Sequence, residues 1–171
     1  IPDVNPIDET ASCNPVNEYG LTKLYQTELA LYFIRKYNAN ISIARIFNVD
    51  GLELSDKLAI GRWRKEIQTL SDNSILKVGN LNTIRDYLDI HKVAQDLLVL
   101  CLHGKPLVYN VCSGKPTIMS DLLQEIINNS GKKIRIQRDL NLIRTDDVPE
   151  IIGNRLLLNS LYQEMRIDYD N

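Results

Sequence analysis

Apolar and polar positions along this chain follow two periods, one helical and one extended. Residues 1–14 are polar and proline-containing, and Asn14-Pro15 then reads as a helix start, a capping side chain followed by proline. From there to about Asn38 no proline interrupts, and Leu24, Leu29, Leu31, Tyr32, Phe33 and Ile34 put apolar groups on more than one side. Such a helix needs cover from a sheet and from a further body such as a second subunit. Residues 41–47 read as a strand with both faces largely apolar, the pattern of a covered parallel strand, and 48–51 as the loop beyond its carboxyl end. A second helix is expected over 58–70, short strands over 75–78 and 84–90 joined by a turn at 79–82, a third helix over 91–103 and a strand over 107–111. Thr117 reads as the N-cap of a helix ending at Ser130-Gly131, with a strand over 134–136 and a last short helix over 155–162. The alternation makes an α/β chain. It opens on loop and helix rather than on a strand, and its first glycine is Gly20, so it reads as the later part of a larger fold.

Composition narrows the classes. The 171 residues are 44% hydrophobic and 25% charged with net charge −2, an ordinary globular balance that argues against a nucleic-acid footprint. The longest uncharged apolar run, 97–102, is far below the roughly 20 residues of a spanning helix, and the opening residues do not read as a signal peptide. Cys13, Cys101 and Cys112 are widely spaced, which fits a reduced, cytoplasmic chain with Cys101 and Cys112 as small core groups. With only His91 and His103 besides, no metal site is expected.

The candidate chemistry begins with Tyr19 and Lys23. Four residues apart near a helix start, their side chains share one face. An ammonium beside a phenol favours the phenolate and eases proton transfer, and the helix amino end acts in the same sense. Gly20 leaves bare backbone for a close approach by another chain or a flat ligand. Arg45, inside the covered strand, calls for an ion-pair partner, and Arg62, Arg64 and Lys65 form a basic cluster on the second helix.

Several segments in register resemble a known family. Pro15-x-x-x-Tyr19-Gly20-x-x-Lys23, Ala44-Arg45-Ile46-Phe47-Asn48, Val78-Gly79-Asn80-Leu81, Arg85-Asp86-Tyr87, residues 108–115 and Arg144-Thr145-Asp146-Asp147-Val148-Pro149 are similar to extended short-chain dehydrogenase/reductases that modify nucleotide sugars. Within them the chain is closest to the GDP-mannose 4,6-dehydratase and GDP-4-keto-6-deoxymannose reductase branch. The resemblance implies the carboxyl-terminal part of an NAD(P)-binding Rossmann-like enzyme. Residues 1–50 would be the last Rossmann elements, carrying the Tyr-Lys helix, and 51–171 a small α/β domain that binds the nucleotide sugar. Tyr19 would be the general acid/base at the sugar's C4 oxygen, and Lys23 would hydrogen-bond the nicotinamide ribose. Asn48, Lys65, Gly79, Asn80, Leu81, Arg85 and Arg144 would bind the substrate, with Asn48 against its sugar or diphosphate and Arg85 forking onto the diphosphate.

For Asn48 the competing role is a turn former, for Arg85 an ion pair with adjacent Asp86 or another surface acid, and for Gly79–Leu81 a plain hairpin turn. The family's cofactor loop and the Ser or Thr that partners the tyrosine would lie upstream, so residues 1–171 alone are expected neither to bind a dinucleotide nor to turn over. Gly51-Leu52 and Arg144-Thr145 depart from the family's Gly-Pro and Arg-Pro, which leaves the exact sugar open. The partner implied is a nucleotide sugar, GDP-linked by preference, with no nucleic acid and no membrane. The Tyr-Lys helix would form a homodimer interface, and exposed apolar surface, self-association or disorder is expected around residues 1–30. A UDP- or dTDP-sugar 4-epimerase and a catalytically idle binding relative are the alternatives.

Overall fold

The first helix begins three residues later than the Asn14-Pro15 signal suggests. In the computed structural model, which describes residues 5–51, 54–143, 147–167 and 169, α1 runs Glu18–Tyr37. Its cap is Asn17, whose side chain accepts the Gly20 N–H at 2.9 Å. Asn17 is followed by an acid in the first turn, a combination Asn14 lacks. The helix stops at Asn38, which takes the left-handed conformation that asparagine tolerates (φ 52°).

The chain forms two compact units interleaved in sequence. The first comprises residues 1–49, 86–115 and 151–171, and the second 50–85 and 116–150. In the first, β1 (Ile43–Ile46) pairs in parallel with β6 (Val108–Val111), Ile43 opposite Val108 and Ile46 opposite Val111. The expected loop after β1 is instead a second short strand, β2 (Asn48–Asp50), beside β5 (Tyr87–Asp89). Helix α3 (Ile90–His103) starts on an Asp89 cap, and α5 (Leu156–Met165) closes the unit. Leu88, Val93, Val99, Leu100, Tyr109, Val111, Leu158, Leu161 and Tyr162 form its core. Cys112 is buried as expected, whereas Cys101 faces solvent on α3.

In the second unit β3 (Ile75–Val78) pairs in parallel with β8 (Arg135–Arg138), while β4 (Ile84–Arg85) lies between β7 (Thr117–Ile118) and β9 (Glu150–Ile151). The expected hairpin at 79–82 is therefore a connection between different sheets. Gly79 is required there because a Cβ would sit 2.4 Å from the Leu142 carbonyl oxygen. Thr117 is a strand residue opposite Arg85 rather than an N-cap. The first turn of α4 (Met119–Asn129) instead ties back through Met119 N–H to Thr83 O at 3.1 Å. Helix α2 (Ala59–Thr69) packs Ile60, Trp63 and Ile67 into the unit's interior, together with Leu76, Val78, Leu123 and Ile127. Its carboxyl end is closed by the Lys132 ammonium, which donates to the carbonyls of Ile67, Gln68 and Leu70, each at 2.8 Å. No helix among the described residues is long and apolar enough to cross a membrane.

Candidate functional site

Each unit carries its own group of the residues singled out from sequence. In the first unit, Lys23 Nζ lies 5.6 Å from the Tyr19 ring centroid, so one helical turn brings the two onto a common face. Tyr19 is 73% exposed, and Lys23 Nζ donates to Gln26 Oε1 at 3.1 Å. Both polar ends are open to a ligand. Gly20 is approached by the chain's own Pro15, 3.3 Å from where a Cβ would stand. No residue of α1 is buried, and Tyr25, Leu29, Tyr32, Phe33 and Tyr37 are exposed along it, the apolar surface expected of this helix.

Asn48 is fixed by one acceptor. Its main-chain N–H and its side-chain Nδ2 both donate to the Asp86 carbonyl, at 3.1 and 3.2 Å. Asp86, quoted from sequence only within the Arg85-Asp86-Tyr87 motif and as a possible partner of Arg85, has a different part here. Wholly buried, its carboxylate accepts from Ser113 N–H and Oγ (both 2.7 Å), Gly114 N–H (2.9 Å) and Gly153 N–H (3.1 Å). These donors compensate a buried charge by dipoles. Among the described residues Arg45 has no ion-pair partner of the kind expected, and its guanidinium donates to the Glu9 main-chain carbonyl at 3.1 Å.

A second buried acid, Asp96, escaped the sequence reading. It binds Arg155 in a two-pronged pair at 2.6 and 2.7 Å and accepts from the Tyr162 hydroxyl at 2.8 Å. Arg155 also donates to the Cys112 carbonyl at 2.9 Å. Burial first, and then the Asp96 carboxylate, hold the Tyr162 hydroxyl above the usual phenol range.

In the second unit, Arg85 is engaged on both arms. Nη2 pairs with Asp147 at 2.6 Å, and Nη1 donates to the carbonyls of Ile84 (2.8 Å) and Pro149 (3.4 Å). The partner is thus Asp147, not the adjacent Asp86. Asn80 reaches the same Asp147 carboxylate at 3.4 Å, so the Gly79-Asn80-Leu81 segment and Arg85 converge. Lys65 lies in another recess, a cavity of 350 Å³ lined by Leu54, Ser55, Asp56, Gly61, Arg64, Lys65 and Gln68. The basic cluster of this helix is already neutralised: in the recess Lys65 pairs with Asp56 at 2.5 Å and Arg64 with Asp50 at 2.7 Å, and elsewhere on the helix Arg62 pairs with Glu66 at 3.5 Å. The hydrogen bond with Asp56, and then its charge, raise the Lys65 ammonium above the usual lysine range. Arg144 lies outside the described residues.

The model of the family described as GDP-mannose 4,6 dehydratase matches residues 2–152. The chain belongs to this family. GDP-6-deoxy-D-mannose reductase of Pseudomonas aeruginosa is 27% identical over 158 residues, covering 90% of this chain and 52% of the relative. GDP-6-deoxy-D-talose 4-dehydrogenase of Aggregatibacter actinomycetemcomitans is 23% identical over 172 residues, 97% of this chain and 56% of the relative. Among solved structures, RMD from P. aeruginosa complexed with NADPH superimposes with a TM-score of 0.83 at 28% identity, over 92% of this chain and 53% of that one. UDP-glucose 4-epimerase of Thermotoga maritima, at 21% identity and a TM-score of 0.82, shares the fold. The chain spans about half the length of the curated relatives it matches. It is thus an extended short-chain dehydrogenase/reductase chain with the Rossmann-like α/β fold anticipated from sequence.

Proposed function

We propose that this chain supplies the proton-handling and nucleotide-sugar-binding groups of an NAD(P)-dependent enzyme acting at sugar C4, with a GDP-sugar as the preferred substrate. The observation that carries the reading is the open Tyr19–Lys23 face in a chain matched by its family model over residues 2–152. Roles divide along the sequence near residue 50. Tyr19 and Lys23, before it, handle the proton, and Lys65, Gly79, Asn80, Leu81, Arg85 and Arg144, after it, engage the nucleotide sugar, as does Asn48 at the boundary.

These residues fit the reactive end of a nicotinamide nucleotide, because Tyr19 and Lys23 offer a hydroxyl and an ammonium on one exposed face. When bound, that cofactor gives or takes the hydride at sugar C4. Tyr19 takes the proton from the C4 hydroxyl, or returns it to the C4 carbonyl oxygen. Lys23 favours the phenolate and donates to a ribose hydroxyl. The glycine-rich phosphate loop, G-x-G-x-x-G, does not occur within the 171 residues. The exposed apolar side of α1 supports a homodimer formed through this helix.

The test is turnover by the protein in which residues 1–171 stand with a dinucleotide-binding domain. NADPH or NADH absorbance is followed with GDP-, UDP- and dTDP-sugars in turn. Tyr19→Phe, which removes only the hydroxyl, is expected to cost about 100-fold or more in turnover while leaving the melting temperature unchanged. A preference for UDP- or dTDP-sugars would move the chain to the epimerase reading. No turnover with any sugar, despite cofactor binding, would favour an idle relative.

A further inference from the structure

We infer that Glu9 is a positioning residue for Tyr19, acting through the segment that it fastens ahead of α1. The inference rests on the function proposed above, because only there does Tyr19 have a proton to move. Helix α1 has no fully buried residue, and residues 12–19 are all exposed. A helix start with no core contact of its own is placed by what ties the chain beside it. Ahead of α1 that tie is residues 5–9.

The segment is held on the edge of β6 that faces away from β1. The N–H groups of Ile43 and Phe47 donate to the carbonyls of Leu107 and Val111, so alternate residues of that stretch face β1 and Asn110 faces away from it. Asn110 is 1% exposed, and its main-chain N–H is taken by the Glu9 carboxylate at 2.9 Å. A charged acceptor makes this the strong kind of hydrogen bond, and losing it would leave a buried donor unpaired. The Asn110 side chain donates to the Ile7 carbonyl at 2.9 Å, and Ile7 exchanges main-chain bonds with Ile152 and Asn154, each at 2.7 Å. Arg45 adds the bond to the Glu9 carbonyl. Beyond Glu9 the hydrogen bonds of residues 10–17, among the described residues, stay within a few positions along the chain. Glu9 is therefore the last long-range tie before Tyr19. From there the chain runs to Pro15, which packs against Gly20 beside the tyrosine.

The experiment compares Glu9→Ala with Glu9→Gln, whose amide oxygen can still accept from Asn110. Amide hydrogen exchange is followed by NMR on the 171-residue chain. In Glu9→Ala the Gly20 and Leu21 amides should exchange about tenfold faster, while Val99 and Leu100 in the core keep their rates. Glu9→Gln should restore the original exchange. In the protein that joins residues 1–171 to a dinucleotide-binding domain, Glu9→Ala should lower kcat about tenfold or more and leave KM for the sugar nucleotide unchanged, because a displaced Tyr19 fails at the proton and not at binding. Unchanged exchange at Gly20 and Leu21, equal acceleration throughout the core, failure of Glu9→Gln to restore, or an unchanged kcat would each overturn the inference. If the unsubstituted joined protein turns over no sugar nucleotide, the proposed function fails, and the exchange rates still decide whether Glu9 fixes the start of α1. Circular dichroism checks folding, and Glu9→Asp, which keeps the carboxylate but shortens its reach, replaces Glu9→Ala if that variant does not fold.

Discussion

Helix α1 and the buried acids of the same unit use charge in opposite ways. Along α1 nothing is buried, and Lys23 and Tyr19 keep their polar ends in solvent. Their pairing contributes little to folding, because exposed charges are screened. In the function proposed above its value is chemical: a phenol and an ammonium share one exposed face. Asp86 and Asp96 are fully buried, and each is enclosed by donors from distant segments. They are unavailable to a ligand, and their value is to hold backbone and side chains in one arrangement. On that proposal the polar residues of one unit divide into those that would act and those that position, and burial separates the two.

The strongest way to break this division is Asp96→Ala. It strands the Arg155 guanidinium, 7% exposed, without its carboxylate. The expected loss is about 3–5 kcal/mol in urea unfolding, the usual cost of breaking a buried pair. Replacing both partners by apolar groups should recover much of it, because the pair is costly to break rather than intrinsically strong. A variant that unfolds at the original urea concentration would show Asp96 to be no positioning residue.

The same contrast explains what the sequence could disclose. Tyr19 and Lys23 are local: helical spacing alone puts them on one face, so the pattern is legible before any fold is known. Asp86 meets Ser113 across 27 positions and Asp96 meets Arg155 across 59. No periodicity encodes such pairings, so both acids read as ordinary polar residues. Strand pairing failed for the same reason. β3 and β4 are neighbours in sequence and suggested a hairpin, but β3 finds its partner in β8. The turn residues were right in kind, since Gly79 is needed, but for its close passage beside Leu142 rather than for a reversal. Helix existence was legible throughout, whereas helix starts at Asn17 and Met119 were decided by a rival cap and by a tertiary hydrogen bond.

Cys112 sharpens the comparison with a smaller effect confined to alkaline pH. Burial, and then the Asp86 charge, push its thiol from 9.0 up to about 12. Between those values the folded protein keeps a proton that the unfolded chain has released. The stability it contributes is therefore complete below pH 9.0 and is lost as pH rises through that window. Melting temperature should fall on this limb, and less steeply in Cys112→Ala. Iodoacetamide below pH 9.0 should modify the exposed Cys13 and Cys101 and reach Cys112 only after unfolding. Ready labelling of Cys112 in the folded protein would contradict its place in the buried set.

The smallest effect belongs to an exposed pair, and it tests the division from the other side. Lys105 and Glu164 meet at 2.8 Å, within 0.2 Å of the 2.6 Å Arg155–Asp96 contact, but their side chains are 56% and 54% exposed. The hydrogen bond that Lys105 donates to Glu164, and then the charge of Glu164, raise the Lys105 ammonium above the usual lysine range. A raised lysine gives a stabilisation that is full below its unfolded value and disappears as pH climbs through the raised one, so whatever the pair contributes is present at neutral pH. Water and salt screen it there, and Glu164→Gln is expected to leave the melting temperature unchanged in both low and high salt. If this exposed substitution destabilised as much as Asp96→Ala, distance rather than burial would set what a charge is worth in this unit, and the separation of acting from positioning residues would lose its physical basis.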